Sequence, residues 1–124
     1  MAHICLIEDD PMVRNVISRI LSKLGHSVQV ASNGREGLEF VQKLKFDLVI
    51  TDIIMPEVEG IQVLQKVKES SPSTKVIAMS GGGRIGNTDF LEVAKSLGAD
   101  AVVYKPVTKT EFMAALKTCL AVAA

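Results

Sequence analysis

Carboxylate, hydroxyl and ammonium groups stand at the ends of four of the five short apolar segments in this sequence. They are Glu8, Asp9 and Asp10 after the first segment, Asp52 after the third, Ser80 after the fourth and Lys105 after the fifth. Two carboxylates about 4 Å apart repel by roughly 4 kcal/mol at an effective dielectric constant near 20, so a cluster of them is either spread in solvent or built around a cation. Oxygen ligands favour Mg²⁺, which also takes a phosphoryl oxygen as ligand. A lysine and a hydroxyl beside that ion suit a phosphoryl group held on a carboxylate.

The stretch that ends at Asp52 has the pattern of a buried strand. Leu48 to Ile50 is apolar and includes β-branched residues, which is typical of a strand covered on both faces. Pro56 follows closely, so the strand must end and turn there. Open α/β sheets bind their ligands at the carboxyl ends of strands, which makes Asp52 a candidate for chemistry, although an aspartate at this point can also simply cap a turn.

Five strands and five helices alternate along the chain and must position these groups. We predict strands at 3–7, 27–31, 48–51, 75–79 and 101–104, and helices at 11–24, around 38–44, from about 61 to 70, at 89–97 and from 108 to about 122. Short connections between them imply a parallel sheet with right-handed crossovers and helices on both faces. All strand carboxyl ends then lie along one edge, where the candidate side chains meet.

Composition favours one soluble domain without a charged partner. The 124 residues, 48% of them apolar, suffice for a core, and we expect a single domain over 1–124 with no second domain. Fourteen acidic and fourteen basic residues cancel, so we expect neither nucleic acid nor an anionic membrane as partner. No apolar run reaches the roughly 20 residues of a membrane span, and no signal peptide is recognisable. Cys5 and Cys119 match no metal-ligand spacing, which fits a cytoplasmic protein.

The combined motifs resemble the receiver domain of two-component response regulators from Ile4 to about Ala121. The family's acidic pair falls on Glu8 and Asp9, and its phospho-accepting aspartate on Asp52 within Asp-Ile-Ile-Met-Pro. The backbone carbonyl two residues later, on Ile54, is by this resemblance a further metal ligand. The family's hydroxyl position, its neighbour and its Lys-Pro pair fall on Ser80, Gly81, Lys105 and Pro106, and the peptide bond before that proline is usually cis.

This resemblance implies the doubly wound, flavodoxin-like receiver fold with strand order 2-1-3-4-5. It also implies Mg²⁺ as cofactor and a histidine kinase or histidine phosphotransfer protein as phosphodonor. The chain would take the phosphoryl group onto Asp52 and switch its binding to a downstream protein target. On this interpretation it catalyses only the reactions of its own aspartate and is not a turnover enzyme.

The sequence departs from the family pattern at three places. Asp10 is a third acid, which by the family pattern is a neighbour of the metal site and not a ligand. The residue after Ser80 is usually alanine, whereas here Gly81 opens a run of three glycines. The family's aromatic switch residue, three before the lysine, is replaced by Val102, which leaves Tyr104 as the only aromatic on that side of the strand. We expect either that the Tyr104 ring responds to phosphorylation or that it is static and packs on the last helices.

Three other functions were compared with the motifs of this sequence. Gly81, Gly83 and Gly86 match the dinucleotide fingerprint, but they follow the fourth strand instead of opening a βαβ unit. A phosphatase of the haloacid dehalogenase type is the alternative from a different class, yet it needs a second aspartate where this chain has Ile54. A degenerate receiver that only binds partners does not agree with a chain in which every phosphotransfer position is filled.

Overall fold

The structure, a computed structural model, describes residues 1–53, 59–80, 84–85 and 88–120. Its strands are β1 (His3–Ile7), β2 (Ser27–Ala31), β3 (Leu48–Asp52), β4 (Lys75–Ser80), β5 (Arg84–Ile85), β6 (Thr88–Asp89) and β7 (Ala101–Tyr104). Its helices are α1 (Pro11–Lys23), α2 (Gly34–Lys43), α3 (Glu59–Ser70), α4 (Phe90–Ser96) and α5 (Lys109–Leu120). None of the helices in these ranges is both long and apolar enough to cross a lipid bilayer.

Five of the strands form one parallel sheet in the order β2-β1-β3-β4-β7. With β7 as the fifth long strand, this is the predicted order 2-1-3-4-5, so the doubly wound α/β prediction is confirmed. The remaining strands, β5 and β6, form a two-residue antiparallel pair, which was not predicted from the sequence. Their sequence shows no apolar alternation, and their pairing therefore leaves no local signal.

Successive residues along each strand point alternately into two separate hydrophobic cores, one on each face of the sheet. Leu6, Ile50 and Met79 belong to a cluster that includes Ile17 of α1 and Phe112 of α5. The residues between them along the strands pack in the other direction, against the second to fourth helices: Cys5, Ile7, Val49, Ala78, Leu64, Val67 and Ala94 belong to this second cluster. Because both faces of the central strands are covered, β1, β3 and β4 are largely apolar along their length, as expected for the inner strands of a parallel sheet.

Both cysteines are free and buried, as expected for small apolar residues. Cys5 and Cys119 belong to different core clusters on opposite faces of the sheet, so no disulfide joins them. Burial raises the pKa of the Cys5 thiol to about 12 and that of Cys119 to about 11. Both thiols are therefore protonated and unreactive at neutral pH.

The element boundaries differ from the prediction where side chains form caps. Asn33, predicted to lie in a turn, is the N-cap of α2, because its Oδ1 accepts from Glu36 N at 2.9 Å. Gly25, by contrast, ends α1 in the left-handed conformation with φ of 89°, as predicted. The start of α4 is Phe90 and not Asp89, which pairs in β6. The last helix is described only to Leu120, so its predicted continuation to Val122 lies outside the described residues.

Candidate functional site

Three carboxylates meet at the carboxyl edge of the sheet. Glu8, Asp9 and Asp52 each offer an oxygen, and these three atoms lie within 4.8 Å of one another. Glu8 is fully buried and Asp52 is 5% exposed, whereas Asp9 is exposed. Among these three residues Asp9 is the one that faces solvent, and the buried Glu8 and Asp52 carboxylates have lost most of their hydration.

Strand register brings these acids together. Ile7 of β1 pairs with Thr51 of β3, so the residues that follow each partner, Glu8 and Asp52, are neighbours at the sheet edge. Asp52 is itself the last residue of β3 and is paired with Met79, and not a residue beyond the strand as predicted. The meeting of these side chains was predicted from the sequence, and the register of β1 and β3 accounts for their close spacing.

Lys105 bridges the two buried acids. Its Nζ lies 2.6 Å from Asp52 Oδ2, to which it donates a hydrogen bond, and 2.6 Å from Glu8 Oε1 as an ion pair. Its main-chain N donates to the Ser80 carbonyl at 2.8 Å, which ties the residue after β7 to the end of β4. The Lys105–Pro106 peptide bond is cis. The lysine thus supplies one positive charge between two carboxylates inside the site.

Burial and pairing change the acid–base properties of this pair. Desolvation raises the pKa of Glu8, and the hydrogen bond and charge of Lys105 offset only part of that rise. For Lys105, burial acts to lower the pKa, but the hydrogen bonds and charges of Asp52 and Glu8 outweigh it, so the pKa is raised. The ammonium is therefore fully protonated at neutral pH, while the Glu8 carboxylate is less stable in its charged form than an exposed one.

Ser80 is fully buried at the end of β4. Among the described residues its Oγ has no hydrogen-bond partner. Buried polar atoms without partners are uncommon and cost free energy, so they indicate a group that the site is built to receive. Gly81, the predicted neighbour in phosphoryl binding, and Ile54, the predicted carbonyl ligand, lie outside the described residues.

Tyr104 lies beside this hydroxyl. In the pairing of β4 with β7, Tyr104 is the direct partner of Ser80. Val102, at the position of the missing aromatic, is half-buried against the second core cluster, and the Tyr104 side chain is 43% exposed. The ring is thus partly exposed near the site, and its response to phosphorylation stays a prediction.

The third acid, Asp10, acts as a helix cap. Its Oδ1 accepts from Met12 N at 2.9 Å, and it is the N-cap of α1. Its own N–H donates to Glu8 Oε2 at 3.1 Å, which orients the buried carboxylate. Arg14, which the sequence analysis did not select, donates from Nη1 to the Glu8 carbonyl oxygen at 2.9 Å. The sequence signal for this residue is its place as the first basic residue after the acids.

The donor set fits Mg²⁺. The three clustered atoms are all carboxylate oxygens, which hard divalent cations prefer. The positive charge of Lys105 between two of these acids also indicates that the pocket favours a cation.

Comparisons with known proteins agree with this geometry. The sequence model of the "Response regulator receiver domain" family matches residues 4–117. The transcription factor SKN7 of Saccharomyces cerevisiae is 33% identical over 109 residues, which cover 88% of this chain and 17% of that protein. This chain therefore spans less than a fifth of that relative's length. A receiver domain from Clostridium thermocellum has a TM-score of 0.85 at 30% identity, covering 99% of this chain and 97% of that one.

A second solved structure bears on the cation site. The response regulator TrrA of Thermotoga maritima, in complex with Mg(2+)-BeF, has a TM-score of 0.81 at 26% identity and covers 97% of this chain and 100% of that one. The comparisons give no support to the alternative of a haloacid dehalogenase-type phosphatase. The expectation that nucleic acid is not a partner stays a prediction, because the relative SKN7 is a transcription factor.

Proposed function

Because this chain belongs to the response regulator receiver domain family, we propose that it accepts a phosphoryl group on Asp52 and changes its contacts with a partner protein in response. The observation that carries the proposal is the environment of Asp52. Its buried carboxylate lies within 4.8 Å of two further acids and accepts a hydrogen bond from Lys105. A carboxylate that served only as a turn cap would not need a second buried acid and a buried ammonium beside it.

In the proposed reaction, an Asp52 carboxylate oxygen attacks the phosphorus of the donor. The new O–P bond forms as the P–N bond to a donor histidine breaks, and the imidazole leaves with the bond's electron pair. Lys105 stabilises the charge on the transferred group and keeps its own proton, because its pKa is raised. The Ser80 hydroxyl, buried and without a partner in the described chain, donates to a phosphoryl oxygen.

Glu8, Asp9 and Asp52 would hold Mg²⁺, with the Ile54 carbonyl as a further ligand. The ion, when bound, neutralises charge on the phosphoryl oxygens as they approach the acids. Glu8 must give up any proton before it can act as a ligand, and its raised pKa makes that step dependent on pH. Asp9 is the exposed member of the three, so we infer that the donor approaches from its side.

The proposed partners are a histidine kinase or a histidine phosphotransfer protein as donor, and an unidentified protein as downstream target, all in the cytoplasm. Residues 1–124 would act as one receiver unit that catalyses reactions of its own aspartate and no turnover of external substrates. The balanced formal charge of +0 gives no general attraction to nucleic acid, so we propose regulation through protein contact.

Incubation with Mg²⁺ and acetyl phosphate tests this proposal. Intact-protein mass spectrometry should show one added phosphoryl mass in the native chain and none in Asp52→Asn. Asp47→Asn is the matched control, because Asp47 directly precedes β3 at its opposite end and accepts from His3 N. This control should be labelled like the native chain. Labelling of Asp52→Asn at the native level would refute Asp52 as the acceptor.

A further inference from the structure

Arg14 contacts the metal-site turn from outside the acid cluster. Its guanidinium Nη1 donates to the main-chain carbonyl oxygen of Glu8 at 2.9 Å, in a half-buried environment. Within the part of the chain that the structure describes, this arginine forms no ion pair with a carboxylate, although three acids stand four to six residues before it. This charged donor is therefore used on a neutral main-chain carbonyl beside the acidic cluster.

The carbonyl that Arg14 contacts lies where β1 leaves the sheet. The paired register of β1 with both neighbouring strands ends at Ile7. Glu8 still donates its N–H to the Ala31 carbonyl at 3.1 Å, but its own carbonyl lies beyond the strand ladder. The Arg14 side chain supplies the donor at this point. It thereby fixes the plane of the peptide between Glu8 and Asp9.

We propose that Arg14 is a positioning residue for the cation site, and that it acts by aiming Asp9. Glu8 is already held from three directions, by burial, by the N–H of Asp10 and by Lys105. Asp9 is exposed, and the direction of its side chain depends on the peptide that Arg14 holds. This inference rests on the proposed Mg²⁺ site. Residues that orient metal ligands without touching the ion typically change metal affinity 10–100-fold when they are removed.

Charge and positioning predict opposite results when Arg14 is replaced. The guanidinium carries a positive charge one hydrogen bond away from a metal-ligand residue, so it repels Mg²⁺, and neutralising it should tighten binding on electrostatic grounds alone. If Arg14 instead holds the Glu8–Asp9 peptide, its loss leaves Asp9 free to turn away and weakens binding. The sign of the change in Mg²⁺ affinity therefore separates a positioning role from a purely electrostatic one.

Calorimetric titration of the whole chain with MgCl₂ alone tests the inference. Arg14→Gln should raise the Mg²⁺ dissociation constant about tenfold, and Arg14→Lys, which keeps the charge and one donor, should recover part of that loss. Arg19→Gln is the matched control, because Arg19 is exposed on the same helix and its loss changes the net charge equally. This control should bind Mg²⁺ as tightly as the native chain or slightly more tightly.

Two further measurements separate failure of the inference from failure of the proposed function. Circular dichroism shows whether each variant is folded at the titration temperature. If Arg14→Gln is not folded, Arg14→Lys is used in its place. Mg²⁺ binding by Arg14→Lys that is equal to or tighter than that of the native chain then overturns the inference. Asp9→Asn tests the cation site itself. If the native chain and Asp9→Asn bind Mg²⁺ equally, the proposed site is wrong and the inference falls with it. If Asp9→Asn weakens binding while Arg14→Gln binds as tightly as Arg19→Gln, the site stands and the role of Arg14 is refuted.

Discussion

Gly60, in the first turn of α3, lies directly against the main-chain carbonyl of Asp52. A Cβ built on Gly60 would overlap the Asp52 carbonyl oxygen and the Ile53 Cα, both of which are backbone atoms that cannot rotate away. The absence of a side chain at residue 60 therefore lets α3 pack onto the end of β3. This close approach of α3 holds the main chain of Asp52, the proposed acceptor, in place.

Gly60→Ala should consequently destabilise the fold and disturb the site. Forcing a methyl group into a packed contact costs on the order of 1–3 kcal/mol, and here the atoms that must move belong to Asp52 and Ile53. Denaturant unfolding should show this loss, and Mg²⁺ affinity should fall with it. Gln62→Ala, an exposed change on the same helix, is the control. Equal stability of the two variants would contradict the tight packing at residue 60.

Glu8→Gln should stabilise the chain at neutral pH in the absence of Mg²⁺. Burial raises the pKa of Glu8, so its folded-state value lies above the ordinary 4.5 and the ionised group costs the folded state free energy. The stability that the protonated form contributes is complete below about pH 4.5 and is lost as pH rises through the folded-state pKa. Replacement should add on the order of 1 kcal/mol at pH 7 and progressively less as pH falls towards 4.5.

Thermal melts of Glu8→Gln between pH 4 and pH 8 check this expectation. Glu39→Gln, an exposed change on α2, should melt like the native chain throughout. A gain in stability for Glu8→Gln that stays constant over the whole range would show that ionisation is not its source. Magnesium affinity should drop in Glu8→Gln but not in Glu39→Gln, since only the former removes a proposed ligand.

Lys105→Ala should destabilise the apo chain and make it more dependent on Mg²⁺. The substitution leaves two buried carboxylates without their ammonium, which should lower the free energy of unfolding by about 2–3 kcal/mol. This loss is smaller than is usual for a broken buried ion pair, because Glu8 can take up a proton. Mg²⁺ can replace the missing charge, so its addition should raise the unfolding midpoint more in Lys105→Ala than in the native chain.

Urea unfolding with and without MgCl₂ measures both effects of this substitution. Lys109→Ala removes an exposed lysine near the start of α5 and should respond to Mg²⁺ like the native chain. An identical Mg²⁺ increment in all three proteins would mean that Lys105 and the ion do not neutralise the same acids.

Features that depend on apolar pattern and strand ends were predictable from the sequence, whereas those that depend on a particular side-chain contact were not. The apolar run from Leu48 to Ile50 predicts a buried strand, because a strand that is covered on both faces is apolar along its length. The role of Asn33 as a helix cap and the contact of Arg14 with Glu8 each depend on a hydrogen bond whose geometry only the folded chain defines. The β5–β6 pairing belongs to this second group, because two-residue strands carry no periodic signal.

The Tyr104 ring should report phosphorylation of the site. Tyr104 pairs directly with Ser80 across β4 and β7, and its side chain is 43% exposed. If the Ser80 hydroxyl turns towards a phosphoryl group on Asp52, the neighbouring ring experiences a change in packing and charge.

Tyr104 is the sole tyrosine and the chain has no tryptophan, so intrinsic fluorescence excited at the tyrosine band is dominated by this ring. Beryllofluoride with Mg²⁺ should alter that signal in the native chain and leave Asp52→Asn unchanged. Tyr104→Phe should abolish the signal without preventing phosphorylation by acetyl phosphate. A native signal that stays flat while mass spectrometry shows full phosphorylation would assign Tyr104 a static role and place the response elsewhere in the chain.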